Sequence, residues 1–196
     1  MRLTHINNAV SEIMSSNKTF AVETETIRGI NYPVFKNAPQ NLCEMLKRSF
    51  SSHDDGKAEY LVYQNERWSY DAFCADIKKV AWHLQKEFFV KKGTPVAIAM
   101  RNYPEFIILV MAISALGAKV VFLNAWWTTK ELKYALEDSS AKLVFADGPR
   151  TNSIEPLVKD LNLQIIAVRD AEAFWPTRFS DFLKSTTVAK WPEANI

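Results

Sequence analysis

The sequence predicts an α/β fold built on a doubly wound, mainly parallel sheet. Three observations carry that expectation. From Ser69 onward, apolar runs alternate with amphipathic stretches, and strand starts near 94, 119, 142 and 164 recur at roughly even spacing. The runs VAIAM, VVFL, LVFA and IIAV are continuously apolar rather than alternating, as strands covered on both faces should be. Each run is separated from the next by helix start and stop signals, which implies right-handed crossovers between parallel strands. The residues themselves do not repeat, so the even spacing does not indicate a solenoid.

Taken in chain order, residues 1–37 are polar with few periodic signals and read as an N-terminal arm or edge segment. Their most regular piece, FAVETETIRGINYPVF, alternates as extended structure does. Residues 38–196 form the main domain. Asn41 to Phe50 predicts a short helix, with Leu42, Met45, Leu46 and Phe50 at helical spacing. The run SSHDDGK at 51–57 is a loop. Tyr60–Tyr63 and Arg67–Ser69 read as two strands around a Gln64-Asn65-Glu66 turn. Ser69 is placed to N-cap a helix, with Asp71 where the helix dipole favours an anion. Phe73, Ile77, Val80, Ala81, Leu84 and Phe88 form that helix's apolar face, and Gly93 ends the unit. After the strand Thr94–Met100, Asn102 is expected to cap a helix with Pro104 in its first turn. That helix runs to about Leu116, with Gly117 just after it. Lys119–Leu123 is the next strand. Thr128 and Glu131 form a capping box ahead of Leu132, Ala135 and Leu136. Lys142–Ala146 is a strand, Asp147-Gly148-Pro149 a turn, Ser153–Leu161 a short helix and Gln164–Val168 a strand. Ser180–Lys184 suggests one more helical turn.

Composition excludes several functions. The chain has five glycines, Gly29, Gly56, Gly93, Gly117 and Gly148, none close to another. A phosphate-cradling loop needs glycines a few residues apart, so that backbone N–H groups can converge on the anion. No such motif can be drawn here. A net charge of +2, spread over both signs, leaves no electrostatic footprint for nucleic acid or an anionic membrane. Cys43 and Cys74 cannot build a disulfide framework and read as reduced thiols of a cytoplasmic compartment. His5, His53 and His83 lack metal-ligand spacing. The N-terminus lacks the apolar core of a secretory signal. The apolar stretch from Phe106 to Trp127 is interrupted by Gly117 and Lys119. It reads as a buried helix, a turn and a buried strand rather than a transmembrane span.

In open parallel sheets, ligands bind beyond the carboxyl ends of the strands. Those ends are Arg101-Asn102, Asn124 to Trp127, Asp147 to Arg150, and Arg169-Asp170. Turn and cap duty accounts for these residue types better than a pocket rim does. Trp126-Trp127 suits local packing against helices better than an aromatic wall for an acyl chain or partner. His83, off the centre of its apolar stripe, reads as a partly exposed structural histidine. Cys74 reads as buried and inert, and Asp54-Asp55 as solvated loop charges. No nucleophile, base and oxyanion set emerges, so no catalytic, cofactor-binding or metal-ligating residue is assigned.

Three stretches, in order, resemble the start of the adenylate-forming (AMP-binding) superfamily, which includes acyl-CoA synthetases and luciferases. They are RWSYDAF (67–73), VAIAMRNYPEF (96–106) and ISALGAKVVFLNAWWTTKEL (113–132). The first is similar to that family's aromatic-Thr/Ser-Tyr strand-to-helix junction. The third is similar to its helix ending at Gly-Ala before a strand, with Phe122 where proline is usual. FKNAPQNL (35–42), NAWW and DSSAKLVFAD (138–147) resemble the fatty-acyl-CoA ligase branch. The likeness covers roughly residues 20–196.

The resemblance implies the N-terminal portion of a larger fold: an incomplete doubly wound sheet and a C-terminally truncated AMP-binding domain over 38–196. The parent family joins a carboxylic or fatty acid, ATP and CoA into acyl-CoA, AMP and pyrophosphate through an acyl-adenylate, with Mg²⁺. Its Ser/Thr/Gly-rich ATP loop would follow the last residue of this chain. Its aromatic-Thr-Glu motif, ribose-binding aspartate, hinge and catalytic lysine match nothing here. ATP, Mg²⁺ and CoA are therefore implied for the parent and not for this chain, which is expected to be catalytically inert alone. Two alternatives stand beside this reading: a non-catalytic α/β module that complements or regulates a full-length ligase, and an unrelated flavodoxin-type domain. A sheet lacking later strands has an open edge, so self-association is expected.

Overall fold

The computed structural model describes residues 2–51, 56–170, 177–184 and 190–192. They divide into two compact units, 1–40 and 41–196.

The first unit holds helix α1 (Arg2–Ser16), a single 3-10 turn (Lys18–Phe20) and an antiparallel hairpin of β1 (Val22–Ile27) and β2 (Ile30–Phe35). The hairpin turns on Arg28-Gly29, both at positive φ (52° and 82°), which matches the right-handed twist of the flanking strands. Helix α1 corrects the reading of this region as lacking periodic structure. Leu3, Ile6, Val10 and Ile13 do recur at helical spacing, diluted by polar neighbours, and all four are exposed.

The second unit begins with helix α2 (Leu42–Ser51) and the hairpin β3 (Glu59–Tyr63) and β4 (Glu66–Ser69). The turn between these strands is Gln64-Asn65 alone. Glu66 lies inside β4, because Gln64 takes a left-handed conformation (φ 50°) that closes the hairpin in two residues. Ser69 caps helix α3 (Tyr70–Lys86) as expected, its hydroxyl accepting from Ala72 N–H at 3.2 Å. The helix stops at Lys86, short of Gly93, and Phe89 turns the chain at φ 53°.

Four parallel strands follow: β5 (Pro95–Ala99), β6 (Lys119–Phe122), β7 (Leu143–Asp147) and β8 (Gln164–Val168). Their order across the sheet is β6-β5-β7-β8, with Val96 beside both Val120 and Leu143. The connections are helix α4 (Pro104–Ala115), helix α5 (Thr129–Ser139), and helix α6 (Gly148–Ile154) leading through a 3-10 turn to α7 (Val158–Leu161). Helix α8 (Phe179–Lys184) lies beyond β8.

The sheet is doubly wound. Its first face carries Val96, Ile98, Phe145, Ile166 and Val168, packed with side chains of α2, α3, α4 and α8. Its second face carries Ala97, Ala99, Val144, Ala146 and Ile165, packed with α5, α6 and α7. Residues one apart on β5 and β7 therefore serve different cores, and the strands read as unbroken apolar runs. The side chains are large on the first face and mostly small on the second.

Helix α4 is apolar nearly all round because it is buried, with Ile108, Leu109, Ala112 and Ile113 almost inaccessible. Gly117 (φ 66°) then turns the chain into β6. The helix-turn-strand order read over 106–127 holds, but β6 is a partly exposed edge strand rather than a buried one, since its place at the end of the sheet leaves it less covered than the inner strands. No helix among the described residues is long and apolar enough to cross a membrane. The capping box at Thr128 and Glu131 also forms.

Two expected caps and turns differ. Tyr103, not Asn102, occupies the N-cap position of α4 and makes no side-chain cap; the Pro104 ring presets the first helical turn instead. Asp147-Gly148-Pro149 is not a free turn. Helix α6 starts at Gly148, because Pro149 within its first turn needs no N–H partner there.

Candidate functional site

The carboxyl ends of the four strands gather most of the polar side chains buried in the second unit. The connections from β5 to β6 and from β6 to β7 run in opposite directions, so the topological switch point lies between β5 and β7. Asp147, 2% exposed, stands there. Its Oδ2 accepts from the Arg101 backbone N–H at 3.1 Å, and its Oδ1 lies 3.4 Å from Arg150 Nη1. Arg150, also buried, donates from Nε to the Ala125 carbonyl at 2.7 Å. Thr151 donates to the Gly148 carbonyl and contacts Asp170 at 3.4 Å. The crevice at the switch point is thus closed by a buried ion pair that ties the ends of β5 and β7 to the loop after β6. A buried pair of this kind satisfies its own charges and leaves none to attract a ligand.

An open cavity of about 910 Å³ lies beside this knot, at the ends of β5 and β6. Tyr63, Tyr103, Phe106, Phe122 and Trp126 supply much of its wall, and Arg101 is the one charged side chain among the described residues that line it. Phe106 and Phe122 stack with centroids 5.7 Å apart. Arg101-Asn102 and Asn124 to Trp127 are therefore on a cavity rim, whereas Asp147 and Arg150 serve as buried ties. The two tryptophans part company. Trp127 packs against the second core, while Trp126 is 78% exposed with the Arg150 guanidinium 5.1 Å from its ring.

Arg169, just past β8, makes a second polar cluster. Nη1 and Nη2 each reach a Glu66 carboxylate oxygen at 2.8 Å, and Nε lies 2.8 Å from both oxygens of Glu105. Burial opposes the charge on Arg169, but its bonds to Glu66 and Glu105 outweigh that and raise its pKa. The same bonds hold Glu66 below the usual glutamate range.

The remaining candidates are structural. His83 is 8% exposed, more buried than expected, and stacks on Phe182 with centroids 4.8 Å apart. Its Nδ1 lies 2.9 Å from Glu87 without hydrogen-bond alignment. Cys74 is buried, and burial pushes its thiol pKa up against the opposing pull of Lys78, so it is a poor nucleophile. Asp54-Asp55 lie outside the described residues. Asp76, unmarked by any sequence pattern, accepts from the Trp68 indole at 3.3 Å, and burial raises its pKa. Glu66 and Glu105 were equally unmarked, because they stand 103 and 64 positions from Arg169. Among the described residues no group of three or more His, Cys, Asp or Glu could hold a metal ion.

The sequence profile of the AMP-binding enzymes matches residues 50–193. A 2-succinylbenzoate–CoA ligase of Bacillus velezensis is 34% identical over 120 residues, which is 61% of this chain and 25% of that protein. Among solved structures, coronafacic acid ligase of Pectobacterium brasiliense superposes with TM-score 0.69 at 22% identity, covering 80% of this chain and 31% of that one. A benzoate CoA ligase of Burkholderia xenovorans gives 0.69 at 16% identity, covering 80% and 30%. At those identities the structural likeness is one of fold. The matched region spans between a quarter and a third of each of these three proteins.

Proposed function

This chain belongs to the AMP-binding enzyme family, and on that premise we propose that it is the N-terminal part of a fatty- or aryl-acyl-CoA synthetase-like ligase that cannot catalyse by itself. In this reading residues 38–196 are part of an adenylation domain and residues 1–37 an N-terminal arm. The parent enzyme would convert a carboxylic acid, ATP and CoA into acyl-CoA, AMP and pyrophosphate through an acyl-adenylate, with Mg²⁺. The flavodoxin-type alternative shares this strand order, so topology does not separate the two; the family match does. A reducing, cytoplasmic compartment is supported by two buried free thiols, Cys43 and Cys74.

One observation carries the inertness claim. Stabilising a transferring phosphoryl group takes several donors and cations aimed at one point. Here the strand-end charges are spent on each other: Asp147 on Arg150 and the Arg101 N–H, Arg169 on Glu66 and Glu105. Among the described residues the cavity keeps one cation, Arg101, which does not fit a triphosphate. The test is ATP–pyrophosphate exchange by the purified chain with a panel of fatty and aryl acids. We expect none above background; clear carboxylate-dependent exchange would overturn the claim.

A second reading, a non-catalytic assembly module, is favoured by the open edge of β6. Among the described residues this strand has one neighbour, and Phe122 at its end is 57% exposed. An unpaired edge flanked by exposed aromatics is a template for another chain. Both readings predict concentration-dependent self-association, which size-exclusion chromatography would register. A compact monomer at all concentrations counts against it.

A further inference from the structure

The Arg169 cluster does more than neutralise two carboxylates. It joins the far end of one hairpin to the sheet. The base of the β3–β4 hairpin is anchored by Tyr60, Leu61 and Trp68, which pack against the first core. Its turn end is different: Val62, Gln64 and Asn65 are exposed. Within the hairpin, Arg67 bonds the carbonyls of Gln64 and Glu66 at 2.7 and 3.0 Å, so the turn is internally tied and can move as one piece.

We propose that Arg169 is a latch that holds the turn end of the β3–β4 hairpin against the carboxyl end of the sheet, and so keeps one wall of the strand-end cavity in place. The guanidinium fork meets Glu66 on the hairpin and Glu105 in the first turn of α4. Its carbon also lies 5.0 Å from the Tyr63 ring and 5.2 Å from the Tyr103 ring. Those two rings meet edge to face at 6.0 Å, and both line the cavity. One side chain therefore bridges β3, β4, α4 and β8. Its backbone stands at φ 50°, a left-handed conformation that costs a non-glycine residue energy and persists where surrounding contacts over-determine it.

Two properties follow from the chemistry. The pairs are only partly buried, with side-chain exposures of 27% for Arg169, 42% for Glu66 and 13% for Glu105, so salt weakens the latch. The planar guanidinium makes a bidentate contact with Glu66 while its Nε–H is shared between the two oxygens of Glu105, a geometry which the point charge of lysine cannot copy.

The test is hydrogen exchange of the full chain, comparing peptides over 61–67 with reference peptides in β5 and β7. Arg169→Gln should speed exchange of the hairpin peptide about tenfold or more and leave the reference strands unchanged. Arg169→Lys should fall between it and the native chain. Sodium chloride at 0.5 M should speed hairpin exchange in the native chain and have little effect in Arg169→Gln. Unchanged hairpin protection in Arg169→Gln overturns the latch, as does an equal salt effect in both proteins. If Arg169→Gln loses protection everywhere, Glu66→Gln decides. That variant removes only the hairpin's side of the contact. Faster exchange confined to 61–67 supports the latch, and unchanged or global exchange overturns it.

Discussion

Phe73 meets Phe50, Tyr60 and Trp68 with ring centroids 4.7 to 6.5 Å away and is fully buried. It knits α2, the β3–β4 hairpin and α3 into the first core. Phe73→Ala should cost about 3–5 kcal/mol in urea unfolding, the range for a large aromatic removed from a close-packed core. Asp147→Ala should cost a similar amount, about 3–5 kcal/mol, because it leaves the Arg150 guanidinium buried without its carboxylate. Asp76 gives a pH-dependent case. Burial raises its folded-state pKa, so the charged carboxylate destabilises the fold above that pKa. A raised pKa means stability present at low pH is lost as pH climbs through the folded value. Asp76→Asn keeps an acceptor for the Trp68 indole and removes the charge. It should therefore be more stable than the native chain at pH 7, with the advantage shrinking as pH falls towards the ordinary aspartate range; denaturation midpoints across that range measure it.

Most helices and strands here start and stop on local chemistry. The Thr128–Glu131 box at the head of α5 is reciprocal, the Thr128 hydroxyl accepting from Glu131 N–H and the Glu131 carboxylate accepting from Thr128 N–H. Thr128→Ala should cost about 1 kcal/mol of stability. Gly117 ends the α4 unit at φ 66°, and a Cβ there would meet nothing closer than the Lys92 side chain at 3.5 Å. There is room for a methyl group, so any penalty for Gly117→Ala is conformational, about 1–2 kcal/mol. A neutral result in thermal unfolding would mean that the turn can relax out of the left-handed region. Where expectation failed at this scale, proline was involved twice. Pro104 and Pro149 begin helices by presetting φ, which displaced Asn102 from its expected cap and absorbed the expected turn after β7. Helix α1 was missed because its apolar residues are spaced correctly but sparse, and periodicity is hard to read where polar residues dominate.

At the scale of the molecule, the four-stranded sheet ends differently on its two sides. Beyond β8, residues 177 and 178 lie alongside it, with Ala167 N–H donating to the Thr177 carbonyl at 3.2 Å. Beside β6 there is no further strand among the described residues. If self-association uses that edge, Phe122→Lys should shift the chain towards monomer in size-exclusion chromatography, since a charge on an edge blocks pairing in water. Association that persists unchanged would direct attention to another surface.

The order of elements, their helical or extended character, the burial of both sheet faces and the family motifs were all legible in the chain. Each depends on residues a few positions apart: a cap three residues from its partner, an apolar stripe every third or fourth residue, an uninterrupted apolar run. Strand order was not legible, because β5, β6, β7 and β8 are alike in composition and only packing decides which lies beside which. Nor were the two polar clusters. Arg101, Arg150 and Arg169 are one residue type in similar strand-end positions. Yet Arg150 is buried on Asp147, Arg169 spans two glutamates from distant elements, and Arg101 is left on the cavity wall. Local sequence determined that charges would stand at the ends of β5, β7 and β8. The tertiary fold decided which charges are neutralised, because a carboxylate acts through distance in space and the chain brings Glu66 and Glu105 to Arg169 only once the sheet has formed.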